Sequence, residues 1–123
     1  MKNGYTMDSE QIFFYESYRK KIISEIKKQY GLKLNDILFL YHLKSADSQR
    51  ISLHKVKQSI DFSLMEVHKS LTALTEMGII GKERSTEDER KVYITFTDEQ
   101  YSKMDEILKN FDQIQKSILS ESK

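Results

Sequence analysis

A mainly helical domain carrying one small β-hairpin, in the order α-α-(β)-α-α-β-β-α, is the fold class that the sequence predicts. Three observations predict it. Leu53, Val56 and Ile60, then Leu64, Val67, Leu71 and Leu74, mark two helices separated by a three-residue turn. The stretch "KERSTEDERKVYITF", residues 82–96, passes from mixed charge into the alternation Val92, Ile94, Phe96, which reads as the return strand of a hairpin. Apolar stripes with 3,4 spacing stand at both ends of the chain, and no proline interrupts them.

The 123 residues form one domain, 1–123, with 38% apolar and 32% charged residues, enough for a thin core. Patterning runs throughout, so fraying is expected only at 1–7 and 120–123. The chain has no cysteine, which removes disulfides, thiolate metal sites and a cysteine redox sensor and fits a reducing compartment. It has no run of about 18 apolar residues and no signal-peptide core, so a cytoplasmic location and no membrane partner are expected. Net charge is +1, yet its distribution says more than the sum. Residues 1–50 hold nine Lys/Arg against six Asp/Glu, residues 51–97 seven against seven, and residues 98–123 four against six. Such a balance weakens non-specific attachment to a polyanion and leaves a local basic footprint open.

From Asp8 the series Ile12, Tyr15, Arg19, Ile22, Ile23, Ile26 and Tyr30 predicts an amphipathic helix over 8–30. Lys27 and Lys28 suit its last turn, and Gly31 its stop. Asn35 is the expected cap of a second helix, "DILFLYHL", which is apolar on nearly all sides and so expected in the middle of the domain. "SADSQR" is a loop, Arg50–Ser52 a short strand, and 53–77 a helix-turn-helix with Asp61 and Phe62 in its turn. Ser63, with Glu66 three residues on, forms a capping box, and Leu64, Val67, Leu71 and Leu74 are expected to line the inner face as far as Gly78. The wing occupies 79–96, with strands Ile79–Arg84 and Lys91–Phe96. Its tip, Ser85–Arg90, has no Asn-Gly or Asp-Gly turn signal and is expected to be mobile. Thr97 and Gln100 form a second box opening a last helix over 98–119, with Tyr101, Met104, Ile107, Leu108, Phe111, Ile114 and Ile118 apolar.

A helix-turn-helix followed by a charged hairpin is the winged helix-turn-helix arrangement. Its second helix enters the major groove of DNA while the hairpin reaches the neighbouring minor groove. Arg84 and Arg90 flank the tip, where a guanidinium suits the negative potential of a narrow minor groove. The acidic Glu87, Asp88 and Glu89 would repel phosphate unless turned inward to hold an arginine. Alternatively, Arg90 simply pairs with Asp88 or Glu89 on a solvated loop. On the second helix the outward set is Met65, Glu66, Lys69, Ser70 and Ala73, with Ser63 at the cap. Ser63, Met65, Lys69 and Ser70 are the candidate contacts, and Glu66 is read as a cap. That set offers hydroxyl, lysine and thymine-methyl contacts but no bidentate arginine reading of guanine, so modest base specificity is expected.

His42, His54 and His68 are twelve and fourteen residues apart, without the i,i+4 spacing of zinc helices, and no metal or cofactor is expected. No glycine-rich phosphate loop, HExxH, cysteine nucleophile or Ser-His-Asp spacing supports an enzyme. The stripes Ile12, Phe13, Ile22 and Ile26 of the first helix and Met104, Leu108, Phe111 and Ile118 of the last exceed what one small core covers. The helices 8–30 and 98–119 are therefore expected to pair two copies across a two-fold axis. That symmetry implies a quasi-palindromic double-stranded operator, which is also expected to be A·T-rich. The rival function is a winged helix used for protein contact, modulating another regulator.

"KERSTEDERKVYI" resembles the wing of the SarA-type staphylococcal accessory regulators, a branch of the MarR-like winged-helix family. The broader pattern of an aspartate, an arginine two residues on and a threonine opening the last helix is matched by Asp88, Arg90 and Thr97. The narrower pattern, basic-x-arginine and then Asp-Glu-Arg, falls on Lys82, Arg84, Asp88, Glu89 and Arg90. "YGLKLNDILFLYHL" also resembles the family, and the likeness spans residues 8–119. It implies a homodimeric DNA-binding regulator of virulence or surface-protein genes, with those five wing residues at the DNA. The resemblance leaves room for a small-molecule effector between the first two helices, which no residue indicates.

Overall fold

In the computed structural model, which describes residues 9–88 and 90–121, helix α1 (Ser9–Tyr30) ends where Gly31 takes a φ of 69°. Glycine enters that left-handed region without steric cost. Helix α2 (Leu34–Ser45) follows, and its cap is Lys33 rather than Asn35. The Lys33 amide donates to Asp36 Oδ2 at 2.9 Å. A carboxylate at the third helical position reaches back to the cap amide, so Asp36 sets the start and Asn35 falls inside the first turn. Ile37, Phe39, Leu40 and Leu43 are buried, whereas Leu38 and Tyr41 are exposed. Helix α2 is thus central, with one uncovered face.

Strand β1 (Arg50–Ser52) leads into α3 (Leu53–Ser59), and α4 (Leu64–Glu76) follows the turn. Ser63 and Glu66 form the expected reciprocal box: Ser63 N donates to Glu66 Oε1 at 2.8 Å and Glu66 N to Ser63 Oγ at 3.1 Å. Gly78, with φ 74°, closes the helix. Two positions on α4 differ from expectation. Leu64 is 61% exposed, and Ser70 is only 2% exposed. The 3.6-residue period explains Ser70, which stands between Val67 and Leu74 on the face that α4 turns to the core. Leu64 begins the first turn, beyond the edge of the apolar layer.

The wing strands β2 (Gly81–Arg84) and β3 (Val92–Thr95) are joined by β1 into a three-stranded antiparallel sheet of order β1-β3-β2. Ile51 pairs with Ile94 and Glu83 with Tyr93, which fixes the wing's register to the start of α3. Helix α5 (Asp98–Glu121) opens with the second expected box, Thr97 N to Gln100 Oε1 at 2.9 Å and Gln100 N to Thr97 Oγ1 at 3.1 Å. The helix continues through Glu121, past the expected end at 119 and into the stretch 120–123 expected to fray; residues 1–7, 122 and 123 lie outside the described residues. The architecture is the winged helix-turn-helix.

The terminal helices correct another expectation. Helix α1 packs against α5 within the chain, and Ile22, Ile26, Met104, Leu108 and Ile118 are buried in the chain's own core. Phe111 packs against that core half-buried. What the chain leaves uncovered is the N-terminal half of α1: Ile12, Phe14, Tyr15 and above all Phe13, 74% exposed. The two stripes meet each other first, because intramolecular packing needs no second copy.

This division predicts two opposite mutational outcomes. Ile26→Ala should cost about 2–5 kcal/mol in urea unfolding, as truncation of a fully buried side chain does. Phe13→Ala should change the stability of the isolated chain by less than about 0.5 kcal/mol.

Candidate nucleic-acid interface

The wing tip has an order of its own that its turn chemistry did not advertise. Ser85 N donates to Lys91 O at 2.8 Å and Lys91 N to Asp88 O at 2.9 Å, closing the loop at its base. Ser85 Oγ accepts the amides of Glu87 and Asp88, both at 3.2 Å. Those bonds turn Asp88 toward Arg90. Asp88 Oδ1 accepts the Arg90 amide at 3.0 Å and its Nε at 3.1 Å, while Oδ2 accepts Nη2 at 3.4 Å. The guanidinium is held along one edge, yet the side chain remains 91% exposed. A guanidinium carries five N–H donors, so the outer edge keeps donors for another partner. The Arg90 guanidinium and amide together hold the Asp88 carboxyl below the usual aspartate range.

The other wing candidates are Lys82 and Arg84, both exposed on β2, with Arg84 opposite Val92 at the strand's end. Glu89 lies outside the described residues. On α4, Ser63, Met65 and Lys69 are exposed, and Ser70 is removed from the candidate set by its burial. Glu66 is engaged on both carboxylate oxygens, with Ser63 on one and Asn35 Nδ2 at 3.1 Å on the other. The Ser63 amide is the main reason its pKa is lowered, followed by the Ser63 hydroxyl and Asn35. It is a cap and a tie to α2.

The sequence reading missed a cleft between α3 and the wing. His54 and Lys57 from α3 face Arg90 and Lys91 from the wing across a floor of Leu53, Val92 and Tyr93, around a space of about 500 Å³. Lys57 and Lys91 belong to no common motif, and the β1–β3 pairing brings them together. A second missed contact is Arg50, stacked 3.7 Å from the centroid of Tyr93 and paired to Glu83 at 3.2 Å. The period-2 alternation places Glu83 and Tyr93 on known faces, but the partner strand was needed to find Arg50.

Away from the wing, an open apolar groove of about 490 Å³ runs between α2 and α5, bounded by Leu38, Tyr41, Leu108 and Phe111. Lys44 donates to Asp105 at its edge, and Lys109 Nζ lies 3.0 Å from the same carboxylate. The bond to Asp105 raises the Lys44 pKa, and the two lysines lower that of Asp105. Among the described residues no cluster of His, Asp or Glu has the make-up of a metal site, and no helix is long and apolar enough to cross a membrane.

Comparison with known proteins places this geometry in context. The family described as "Transcriptional regulator SarA/Rot" matches residues 21–107. The HTH-type transcriptional regulator SarU of Staphylococcus aureus (strain NCTC 8325 / PS 47) is 29% identical over 106 residues, 86% of this chain. The match takes in only 43% of SarU, so this chain spans less than half of that relative's length. The HTH-type transcriptional regulator SarR of S. aureus (strain USA300) is 27% identical over 94 residues, 76% of this chain and 82% of SarR. Among solved structures, the S. aureus MepR–DNA complex superposes with a TM-score of 0.69 over 94% of this chain and 85% of MepR. At 14% identity that is a likeness of fold.

The electrostatics predict a titration. Both Glu66 and Asp88 have lowered pKa values, so each ion-dependent contact is complete above the ordinary carboxylate range and is lost as pH falls through the lowered value. In a carboxyl-carbon NMR titration, Arg90→Ala should move Asp88 back upward and leave Glu66 unchanged. An unmoved Asp88 would mean that Arg90 does not hold it.

Proposed function

The chain belongs to the transcriptional regulator SarA/Rot family, and from that premise we propose that it is a homodimeric, sequence-selective double-stranded-DNA-binding regulator. Helix α4 enters the major groove, and the arginines of the wing enter the adjacent minor groove. One observation carries this reading furthest: the tip of the wing is built around Asp88 so that Arg90 projects with its outer edge uncovered. Lys82 and Arg84 add two exposed cations on β2. In the cleft between α3 and the wing, Lys57 and Lys91 suit a phosphate, with His54 in the same lining.

Selectivity on this proposal is shared. Helix α4 has no arginine, asparagine or glutamine, so hydrogen-bonded base reading is sparse. DNA shape at an A·T-rich minor groove supplies much of the rest. MepR, alike in fold, is seen bound to DNA. Virulence or surface-protein genes are the targets that the family resemblance suggests. For the dimer, the surfaces left to pair are the aromatic end of α1 and the groove between α2 and α5 that Phe111 borders. Their joining across a two-fold axis would set the two α4 helices about one DNA turn apart. A protein-contact module is the second reading; the exposed Leu64 and Met65 are what favour it.

Salt separates the two. A duplex-DNA titration followed by fluorescence anisotropy should show affinity that falls steeply as salt rises, because phosphate contacts release counterions. Arg90→Ala should lose about 1–3 kcal/mol of that affinity with the fold intact, and Asp88→Ala should lose affinity in the same direction. Lys69→Ala should weaken all duplexes alike and flatten the salt slope if it meets phosphate, or relax one base position if it meets a base. Wild-type affinity in the Arg90 variant removes the wing from the mechanism. Sedimentation should find a dimer at micromolar concentration, which Phe13→Asp converts to a folded monomer while the wing variants stay dimeric. A wild-type monomer at high concentration contradicts the pairing.

A further inference from the structure

We infer that Leu64 and Met65 form an apolar reader of thymine C5-methyl groups, a specificity element that rests on the DNA-binding reading above. Both open the first turn of α4, and both are exposed, at 61% and 66%. A single exposed apolar residue is ordinary on a protein surface. Two adjacent large ones at the N-terminal turn of the second helix of a helix-turn-helix occupy the positions that meet base edges. The backbone that carries them is held, because the Ser63–Glu66 box closes the turn and Asn35 ties Glu66 to α2.

Elimination strengthens the assignment. Reading guanine by a bidentate bond needs arginine or lysine, and reading adenine needs asparagine or glutamine. Helix α4, "LMEVHKSLTALTE", has one lysine, Lys69, and none of the others. The Glu66 carboxylate, which would accept from cytosine, is tied on both oxygens, to the Ser63 amide and to Asn35, which holds it at the cap. Ser70, an apparent hydroxyl contact, is buried. The base-edge feature that remains matched to this turn is the one apolar group in the major groove, the thymine methyl. Leu64, with its branched aliphatic tip, and Met65, with its flexible thioether, can each cover such a methyl and remove both surfaces from water.

Deoxyuridine isolates this contact. It keeps the base pair and the minor-groove face of thymidine and lacks only the methyl, so contacts of the wing in the minor groove are untouched. The tightest duplex selected from random-sequence DNA by the full chain would be resynthesised with deoxyuridine at every thymidine, then at one thymidine at a time. The wild type should bind roughly fourfold more weakly for each contacted methyl removed, and only at positions within the major-groove half-sites. The Leu64→Ala/Met65→Ala double variant, checked for an unchanged melting profile, should bind the thymidine duplex more weakly and lose nothing further with deoxyuridine. Equal losses in the two proteins would trace the effect to DNA shape, and no loss in the wild type would show no methyl contact. Either result overturns the inference and leaves DNA binding standing. A pool from which no duplex is enriched would overturn the DNA-binding reading itself, and this inference with it.

Discussion

The packing of α2 against both α4 and α5 is the contact on which the rest of the molecule depends. Phe39 and Leu40 of α2 and Leu74 of α4 are wholly buried, and so is Met104 of α5. Burial of side chains of that size supplies most of what a small domain has to offset its chain entropy. Polar ties stand at both ends of α2. Near its start Asn35 reaches Glu66 at the head of α4, and near its end Lys44 reaches Asp105 on α5. At the other end of α4, Gln100 of the α5 capping box donates to Gly78 O at 3.1 Å. Helix α4 is thereby held at its head by α2 and at its tail by α5. A displacement of α5 relative to α2 would be felt at the helix proposed to read DNA.

The wing solves a charge problem with few residues. On the DNA-binding proposal, a chain of net charge +1 cannot rely on bulk attraction, so its cations have to be placed. Asp88 ties its amide to Ser85 and its carboxylate to Arg90, so an acidic residue of the wing tip becomes a fixture for a cation. Arg50 is handled differently: Tyr93 and Glu83 occupy it on the sheet. One arginine is thus presented and another absorbed, although the two look alike in sequence.

What the residues disclosed, and what they withheld, follows the range of the forces involved. Both capping boxes, both glycine stops and the helix-turn-helix were legible because each depends on residues three or four apart. The wing's alternation and its Asp88–Arg90 pair were legible for the same reason. Ser70 and Leu64 were misplaced because the inner face of α4 was judged by residue type, whereas the helical period and the edge of the core decide it. Asn35 lost the cap to the competition of Asp36 one residue later. The α3–wing cleft was illegible, since Lys57 and Lys91 are joined only through the pairing of β1 with β3. The terminal stripes were visible, but amphipathicity says that a face is covered and not by what. Here α5 covers the C-terminal half of α1, and the Phe13 end of that helix stays exposed.

The central claim is geometric: two α4 helices and two wings meet one face of a duplex in a fixed spacing. Hydroxyl-radical footprinting on the tightest selected duplex tests it most directly. The account predicts paired protections whose major-groove centres lie about 10–10.5 base pairs apart, or a multiple of that, with flanking minor-groove protection that disappears in Arg90→Ala. A single unpaired protection, or flanks unchanged by loss of Arg90, would contradict it.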